Sequence, residues 1–117
     1  MSADTISRQK REATGVKVMS TATGAEILTF MRYAVDGLVP QAVALPGTVE
    51  EVAAVMRLAH REGAAVIPWG GGTAMGLGNL PRRYDSALCL SRLNAIVEHE
   101  PADLTATVLA GRTLADF

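Results

Sequence analysis

Apolar and polar residues follow a regular pattern from residue 41 onward. The apolar run QAVAL, residues 41–45, ends at a Pro-Gly pair and predicts a β-strand. In the next segment apolar residues recur at the spacing of one helix face, which predicts an amphipathic helix over residues 49–62. Thr48 and Glu51 have the spacing of a capping box, and Gly63 stands where a helix commonly ends. These signals define the best-specified helix in the sequence.

A second apolar run, AAVIP at residues 64–68, follows the helix at once and predicts a buried strand ending at Pro68. Strand, helix and strand joined by short turns form a βαβ unit, in which the strands are parallel. Three more strands are predicted over residues 86–91, 94–100 and 104–111, the last two joined by a hairpin turn. The final residues, TLADF, begin like a helix capped by Thr113, which favours a domain that continues beyond them.

The start of the chain has a different composition. Residues 1–23 are polar and aperiodic and predict a flexible leader, so the folded domain is expected over residues 24–117, opening with a short helix at residues 25–35. The leader has no apolar stretch of the kind found in a signal peptide, and no apolar run is long enough to span a bilayer. We therefore predict a cytoplasmic protein without a transmembrane segment.

Bulk composition narrows the function classes. A chain of 117 residues that is 49% hydrophobic suits one modest domain, and its 4% of aromatic residues predict an aliphatic core. The net charge of −1 gives no basic excess for nucleic-acid binding. A single cysteine excludes an internal disulfide and a cysteine-built metal site.

The segment PWGGGTAMGLGNLP, residues 68–81, is the main candidate for chemistry. It holds five glycines between two prolines and follows a strand of the βαβ unit, at the sheet edge where α/β proteins bind ligands. Backbone N–H groups of such a loop can converge on an anion, with Thr73 adding a hydroxyl, so the loop predicts a phosphate cradle; a mobile surface loop is the alternative. No lysine follows the glycines, which excludes a Walker loop, and Met75 stands where a Rossmann fingerprint needs glycine.

With these motifs in order, the run from Pro40 to Phe117 resembles the FAD-binding domain of the vanillyl-alcohol-oxidase (PCMH-type) flavoproteins. The resemblance is carried by PQAVALPGTVEEV, PWGGGT, LCLSRLN and DLTATVLAG. The sequence is most similar to the branch represented by the FAD-binding E subunit of bacterial glycolate oxidase. This implies an α+β fold: the first subdomain of a PCMH-type FAD-binding domain, with a βαβ unit plus antiparallel strands, and incomplete.

The resemblance also implies a function. Such proteins transfer hydride from a 2-hydroxyacid such as glycolate to FAD. In members of the family, the small hydroxyacid is bound by a region that follows the segment resembled here. An iron–sulfur subunit is a candidate electron acceptor, and partner subunits are a candidate route to membrane association. The alternatives are an inactive truncated FAD-binding module, or an enzyme of the same fold acting on D-lactate, another alcohol or a cell-wall precursor. No catalytic residue is assigned.

The resemblance places the cofactor in the glycine loop and beside the last strand. Trp69 stands where relatives often have Arg, and because PWGGG holds neither His nor Cys, non-covalent FAD is expected. The predicted cofactor-binding residues are Pro68, Trp69, Gly70, Gly71, Gly72, Thr73, Ala74, Met75, Gly76, Gly78, Asn79, Ala110 and Gly111.

Several other reactive side chains have structural explanations. Cys89 alternates with leucines and is interpreted as a buried structural thiol, although relatives often have an acid there. His60 is assigned to the helix surface, and His99 to a solvated strand end rather than a metal site. Arg82 and Arg83 are interpreted as loop residues rather than phosphate ligands. Arg92 is expected to bind backbone groups.

Overall fold

The computed structural model describes residues 17–20, of which only the backbone is considered, and residues 30–117. Within these residues the complete elements are strands β1 to β6, helix α1 and a short 3-10 turn. In chain order these are β1 Lys17–Ser20, β2 Ala42–Leu45, α1 Val49–Arg61, β3 Val66–Trp69, β4 Ser86–Cys89, β5 Ile96–Glu100, β6 Thr105–Val108 and the turn Leu114–Asp116. The predicted α+β class is confirmed.

The start of α1 has the predicted capping box. The N–H of Glu51 donates to Thr48 Oγ1 at 3.1 Å, and the carboxylate of Glu51 accepts the N–H of Gly47 at 2.6 Å. The Thr48 side chain therefore satisfies a backbone donor that the helix itself leaves unpaired, and the Glu51 carboxylate satisfies a donor just outside the helix. The carboxylate reaches the residue before the cap rather than the cap itself.

The end of α1 is a Schellman motif. The N–H of Gly63 donates to the carbonyl of His60, and the N–H of Ala64 donates to that of Ala59. Gly63 has φ +63°, the left-handed conformation that this motif needs. The predicted helix end is confirmed, and the chain enters the next strand directly.

Strands β2 and β4 form the buried centre of the first sheet, which has the order β1-β2-β4-β3. Alternate residues face opposite sides. Val43 and Ala87 pack with Phe30 and Tyr84 on one face, and a second cluster packs α1 against the other face. The residues of that second cluster are Ala44, Val55 and Leu88. The core is aliphatic on the helix side, as the composition predicts, but Phe30 and Tyr84 are buried on the other side, so the prediction of an aliphatic core is wrong there.

The βαβ unit is split. Strands β2 and β3 are parallel, as predicted, but each pairs with β4, which lies between them. Strand β3 is therefore an edge strand and is only half-buried, with Pro68 exposed. The prediction of a buried strand ending at Pro68 is corrected: the strand continues to Trp69, and an edge tolerates a proline that has no N–H to donate.

Strands β5 and β6 form a separate antiparallel hairpin, confirming the predicted turn between them. Every residue of both strands is exposed. Two backbone hydrogen bonds join the segment after β6 to the segment before β5, from Leu109 N to Ala95 O and from Gly111 N to Leu93 O. The 3-10 turn that follows is capped by Thr113, as predicted.

The N-terminal predictions are tested only in part. Strand β1, which pairs antiparallel with β2, lies inside the segment 1–23 that was predicted to be a leader, and the rest of that segment is outside the described residues. Of the predicted helix at 25–35, residues 25–29 are also outside them; residues 30 and 31 are helical, and a turn follows. None of the helices in the described part of the chain has the length and apolar character needed to cross a membrane.

Candidate functional site

A cavity of about 890 Å³ lies at the carboxyl ends of β3 and β4, where the segment after β6 faces them. Trp69 and the glycines at 70–72 line it from β3, and Cys89 and Ser91 line it from β4. Trp69 and Cys89 are register partners in the sheet, so both strands deliver their last residues to one place. This is the sheet edge at which the sequence predicts a ligand.

The glycine loop packs closely against the segment after β6. A Cβ on Gly70 would lie 2.8 Å from the carbonyl oxygen of Ala110, and one on Gly71 would lie 2.6 Å from Cγ2 of Thr113. Gly72 has φ +70°, and a Cβ there would lie 2.8 Å from the Trp69 ring. A side chain at these positions would fill the space along the loop, so the backbone itself forms this wall of the cavity.

The backbone donors of this wall are available. Within the described residues, the N–H groups of Gly70, Gly71 and Gly72 donate no hydrogen bond to the protein. Leu90 N donates to Trp69 O, so Trp69 is the residue of β3 that bonds to β4. Because residues of a parallel ladder bond to one neighbour alternately, the N–H of the next residue, Gly70, takes no part in this ladder. Neighbouring unpaired N–H groups on a glycine-rich turn suit an anion such as a phosphate.

Gly111 has a structural role beside the cavity. A Cβ there would lie 1.9 Å from the carbonyl oxygen of Leu90, closer than any side chain can approach. The absence of a side chain lets the chain after β6 rest on the turn that follows β4. Gly111 thereby brings the next two residues, Arg112 and Thr113, to the cavity.

Arg112 is the cation of this wall. Its Nη1 donates to Asn94 O at 3.2 Å, and its Nη2 donates to the backbone carbonyl of Asp116. Its Nε is buried and has no hydrogen-bond partner. Both acceptors are neutral, and no carboxylate forms an ion pair with Arg112 in the described part of the chain.

An aromatic cluster lies beside the glycine loop. Trp69 Nε1 donates to the Tyr84 hydroxyl at 2.7 Å, and the rings of Tyr33 and Trp69 meet edge to face with centroids 5.2 Å apart. Burial raises the pKa of Tyr33 and of Tyr84 from 10.0 to about 12, and the bond from Trp69 only partly offsets this for Tyr84. The cluster fixes the orientation of the Trp69 ring at the cavity.

Cys89 is buried, as predicted, but it lines the cavity. Its Sγ is 3.3 Å from Ser91 Oγ in a hydrogen bond. Burial opposes ionisation of the thiol, but hydrogen bonding with Ser91 and Tyr33, together with the charge of Arg32, outweighs it and lowers the pKa of Cys89. The sulfur therefore lies in a polar environment that its strand pattern did not indicate.

The cavity brings together part of the predicted set. Trp69, Gly70, Gly71, Gly72 and Gly111 line it. The carbonyl oxygen of Ala110 lies 2.8 Å from where a Cβ on Gly70 would be, and Met75 packs on the core cluster of Phe30. The other predicted residues are not in the lining: Pro68, Thr73, Ala74, Gly76, Gly78 and Asn79.

Several lining residues were not predicted. Arg32 and Tyr33 come from a turn that precedes β2, and nothing in the sequence pattern links that turn to the glycine loop. Arg112 directly follows Gly111, which was predicted to bind the cofactor, and this adjacency is the sequence signal that could have identified Arg112. Ser91, Asn94 and Asp116 also line the cavity, with Thr113, which was singled out only as a cap.

The remaining candidates lie outside the lining of the cavity. Arg83 binds the carbonyl of Gly63 and pairs with Asp85 at 2.9 Å. Arg92 donates to Leu45 O at 2.7 Å. His60 is exposed on α1. His99 packs edge to face on Phe117, and no group of three metal-binding side chains occurs in the described residues.

Comparison with known proteins gives a family. Residues 40–117 match the model of the FAD binding domain family. The D-2-hydroxyglutarate dehydrogenase of Xanthomonas citri pv. viticola is 44% identical over 75 residues, covering 64% of this chain and 16% of that protein. The mitochondrial D-lactate dehydrogenase [cytochrome] 1 of Saccharomyces cerevisiae is 33% identical over 75 residues, covering 62% of this chain and 13% of that protein. The chain thus spans about a sixth of these relatives or less.

Solved structures share the fold at low identity. p-Cresol methylhydroxylase with substrate bound has a TM-score of 0.75 at 19% identity, over 97% of this chain and 23% of that one. A variant of berberine bridge enzyme has a TM-score of 0.70 at 19% identity, over 97% of this chain and 25% of that one. These neighbours support the PCMH-type fold that the motifs imply.

The cavity fits the cofactor of this family in one specific respect. Unpaired backbone N–H groups at residues 70–72 and the guanidinium of Arg112 provide donors and positive charge for a diphosphate. The chain therefore belongs to the family of FAD binding domains, with FAD as its cofactor.

Proposed function

We propose that this chain binds the diphosphate of FAD in the cavity between the glycine loop and the segment after β6. The observation that carries the proposal is the row of N–H groups at Gly70, Gly71 and Gly72, which donate no hydrogen bond within the described part of the chain. Backbone donors of this kind bind phosphate oxygens without the cost of ordering a flexible side chain.

The predicted contacts outside the lining belong to the same proposal. Thr73, Ala74, Gly76, Gly78 and Asn79 are exposed on the continuation of the glycine loop. In our proposal this stretch follows the ribityl and flavin side of the cofactor, while Pro68 and Ala110 hold the ends of the cradle. Met75, packed on the core, fixes the base of the loop.

We propose that the chain serves in an oxidoreductase of 2-hydroxyacids. FAD, when bound, supplies the hydride acceptor; the residues of this chain bind and orient it. The names of the two sequence relatives, a D-2-hydroxyglutarate and a D-lactate dehydrogenase, support this substrate class. Glycolate is the finer assignment that the motif resemblance favours, and an iron–sulfur subunit is the proposed electron acceptor.

Flavin binding by the 117-residue chain tests the cradle. Gly71→Val places a side chain into Thr113, and we expect it to abolish FAD retention. Trp69 is the single tryptophan and lines the cavity, so quenching of its fluorescence reports occupancy. Val97→Thr, on the exposed hairpin, is the control and should bind like the unaltered chain. Equal FAD affinity in the Gly71 variant, with its fold intact, would contradict the cradle.

A second experiment tests the attachment and the substrate class. Denaturing the FAD-loaded chain should release all of the flavin, since we propose non-covalent binding; flavin that stays with the protein would refute it. Adding D-2-hydroxyglutarate, D-lactate or glycolate should leave the flavin oxidised in this chain alone. In a protein that contains this chain and is as long as its relatives, one of the three substrates should bleach the flavin. If none of them bleaches it, the 2-hydroxyacid assignment is refuted.

A further inference from the structure

We propose that Arg112 supplies the positive charge that binds the diphosphate of FAD. This inference rests on the proposed function and assigns one residue of the site. The argument begins from the glycine loop, because residues 68–81 contain no lysine or arginine. A side-chain cation that assists the backbone donors therefore has to lie outside residues 68–81.

The arginines that follow the loop do not supply it. Arg83 is held by Gly63 and Asp85, away from the cavity lining, and Arg82 is exposed outside that lining. The cations that line the cavity are Arg32 and Arg112, against one carboxylate, that of Asp116. The Asp116 carboxylate accepts a hydrogen bond from the Thr113 hydroxyl. The charge of the lining is thus positive within the described residues.

Position distinguishes the two arginines. Ala110 and Thr113, on either side of Arg112, are the residues that Cβ atoms on Gly70 and Gly71 would strike, so Arg112 lies in the segment that touches the glycine loop. Arg32 acts electrostatically on Cys89 and Tyr33, on the aromatic side of the cavity. Arg112 therefore lies in the segment that packs against the N–H groups of Gly70 and Gly71.

Arg112 forms no ion pair within the described residues. Two neutral carbonyls, of Asn94 and Asp116, hold the terminal nitrogens and fix the plane of the guanidinium. The Nε has no partner although it is buried. A buried donor without a partner on a charged group costs free energy. An anion bound in the cavity would offset part of this cost because it interacts with the positive charge that is spread over the guanidinium. A fixed cation also loses little side-chain entropy when it binds.

The experiment compares FAD with riboflavin, which lacks the diphosphate. Both are titrated into the 117-residue chain, with Trp69 fluorescence as the readout. Arg112→Gln should weaken FAD binding by about tenfold or more, the effect of losing a charged hydrogen bond, and should leave riboflavin affinity unchanged. Arg112→Lys, which keeps the charge but not the planar group, should lie between them.

Arg82→Gln is the matched control because it removes the same charge from an arginine outside the lining, and it should bind FAD like the unaltered chain. Unchanged FAD affinity in Arg112→Gln overturns this inference alone. Equal weakening of FAD and riboflavin also overturns it, because that result identifies a purely structural role. If the unaltered chain binds no FAD, the proposed function fails together with the inference.

Discussion

The two sheets of this protein are built in opposite ways. Strands β2 and β4 are buried between α1 on one face and the cluster around Phe30 on the other. The β5–β6 hairpin is exposed along its whole length, with apolar side chains such as Val97 and Leu104 facing out. One sheet has a core of its own, while the hairpin is held mainly by the backbone at its base.

This difference explains where the cavity lies. The buried sheet fixes the carboxyl ends of β3 and β4, and with them the glycine loop. The base of the hairpin, at Gly111, brings Ala110 and Thr113 against that loop, with Arg112 between them in the chain. The cavity therefore has one wall set by side-chain packing and another set by a close backbone contact. Disrupting either wall should have separable effects.

The largest effect is expected from Gly111→Val. A Cβ at this position would lie 1.9 Å from the Leu90 carbonyl, so the base of the hairpin must move away from the buried sheet. We expect a loss of about 3 kcal/mol in the free energy of unfolding, measured by urea denaturation. Gly76→Ala is the control for stability, since a Cβ there meets nothing within 4 Å and its φ is not positive. Equal stability of the two variants would show that the base of the hairpin is free to shift.

A smaller effect should separate the two sheets directly. Val43→Ala removes methyl groups from a fully buried position of β2 and should cost about 2 kcal/mol. Val97→Ala makes the same change in β5, where the side chain is 62% exposed, and should stay within about 0.5 kcal/mol. Urea denaturation of both variants gives the comparison. A large loss for Val97→Ala would mean that the hairpin is covered in solution.

The local sequence determines much of the buried half. The capping box at Thr48 and the glycine at 63 predict the limits of α1 because both act within one turn of the backbone. Strand order is different. That β4 enters between β2 and β3 depends on pairing between residues 20 or more positions apart, and no local pattern encodes it. The edge position of β3 and the exposure of Pro68 follow from that pairing.

The site was predictable to a similar extent. The glycine loop has a composition that only a close backbone approach explains, so its position was evident. Arg32, Tyr33 and Arg112 reach the cavity by tertiary folding, and their own neighbours in sequence give no indication of it. The composition of a loop reveals a backbone site, whereas side chains brought from distant segments require the fold.

The smallest effect concerns the aromatic cluster beside the buried sheet. Both tyrosines of the chain, Tyr33 and Tyr84, have a pKa raised from 10.0 to about 12, chiefly by burial. The neutral hydroxyl is the form favoured by the fold, so this stabilisation is complete below pH 10 and is lost as the pH rises from 10.0 toward about 12. At neutral pH the effect on stability should not change with small shifts of pH.

Tyrosinate absorbance measures this titration without interference from the hairpin, which contains no tyrosine. The folded chain should titrate near pH 12, and the same chain in denaturant near 10.0. Tyr33→Phe and Tyr84→Phe separate the two groups; the second also removes the acceptor of the Trp69 N–H and should shift its fluorescence. If one group titrates near 10.0 in the folded chain, that ring is in water, and the aromatic side of the cavity is open where the buried sheet should close it.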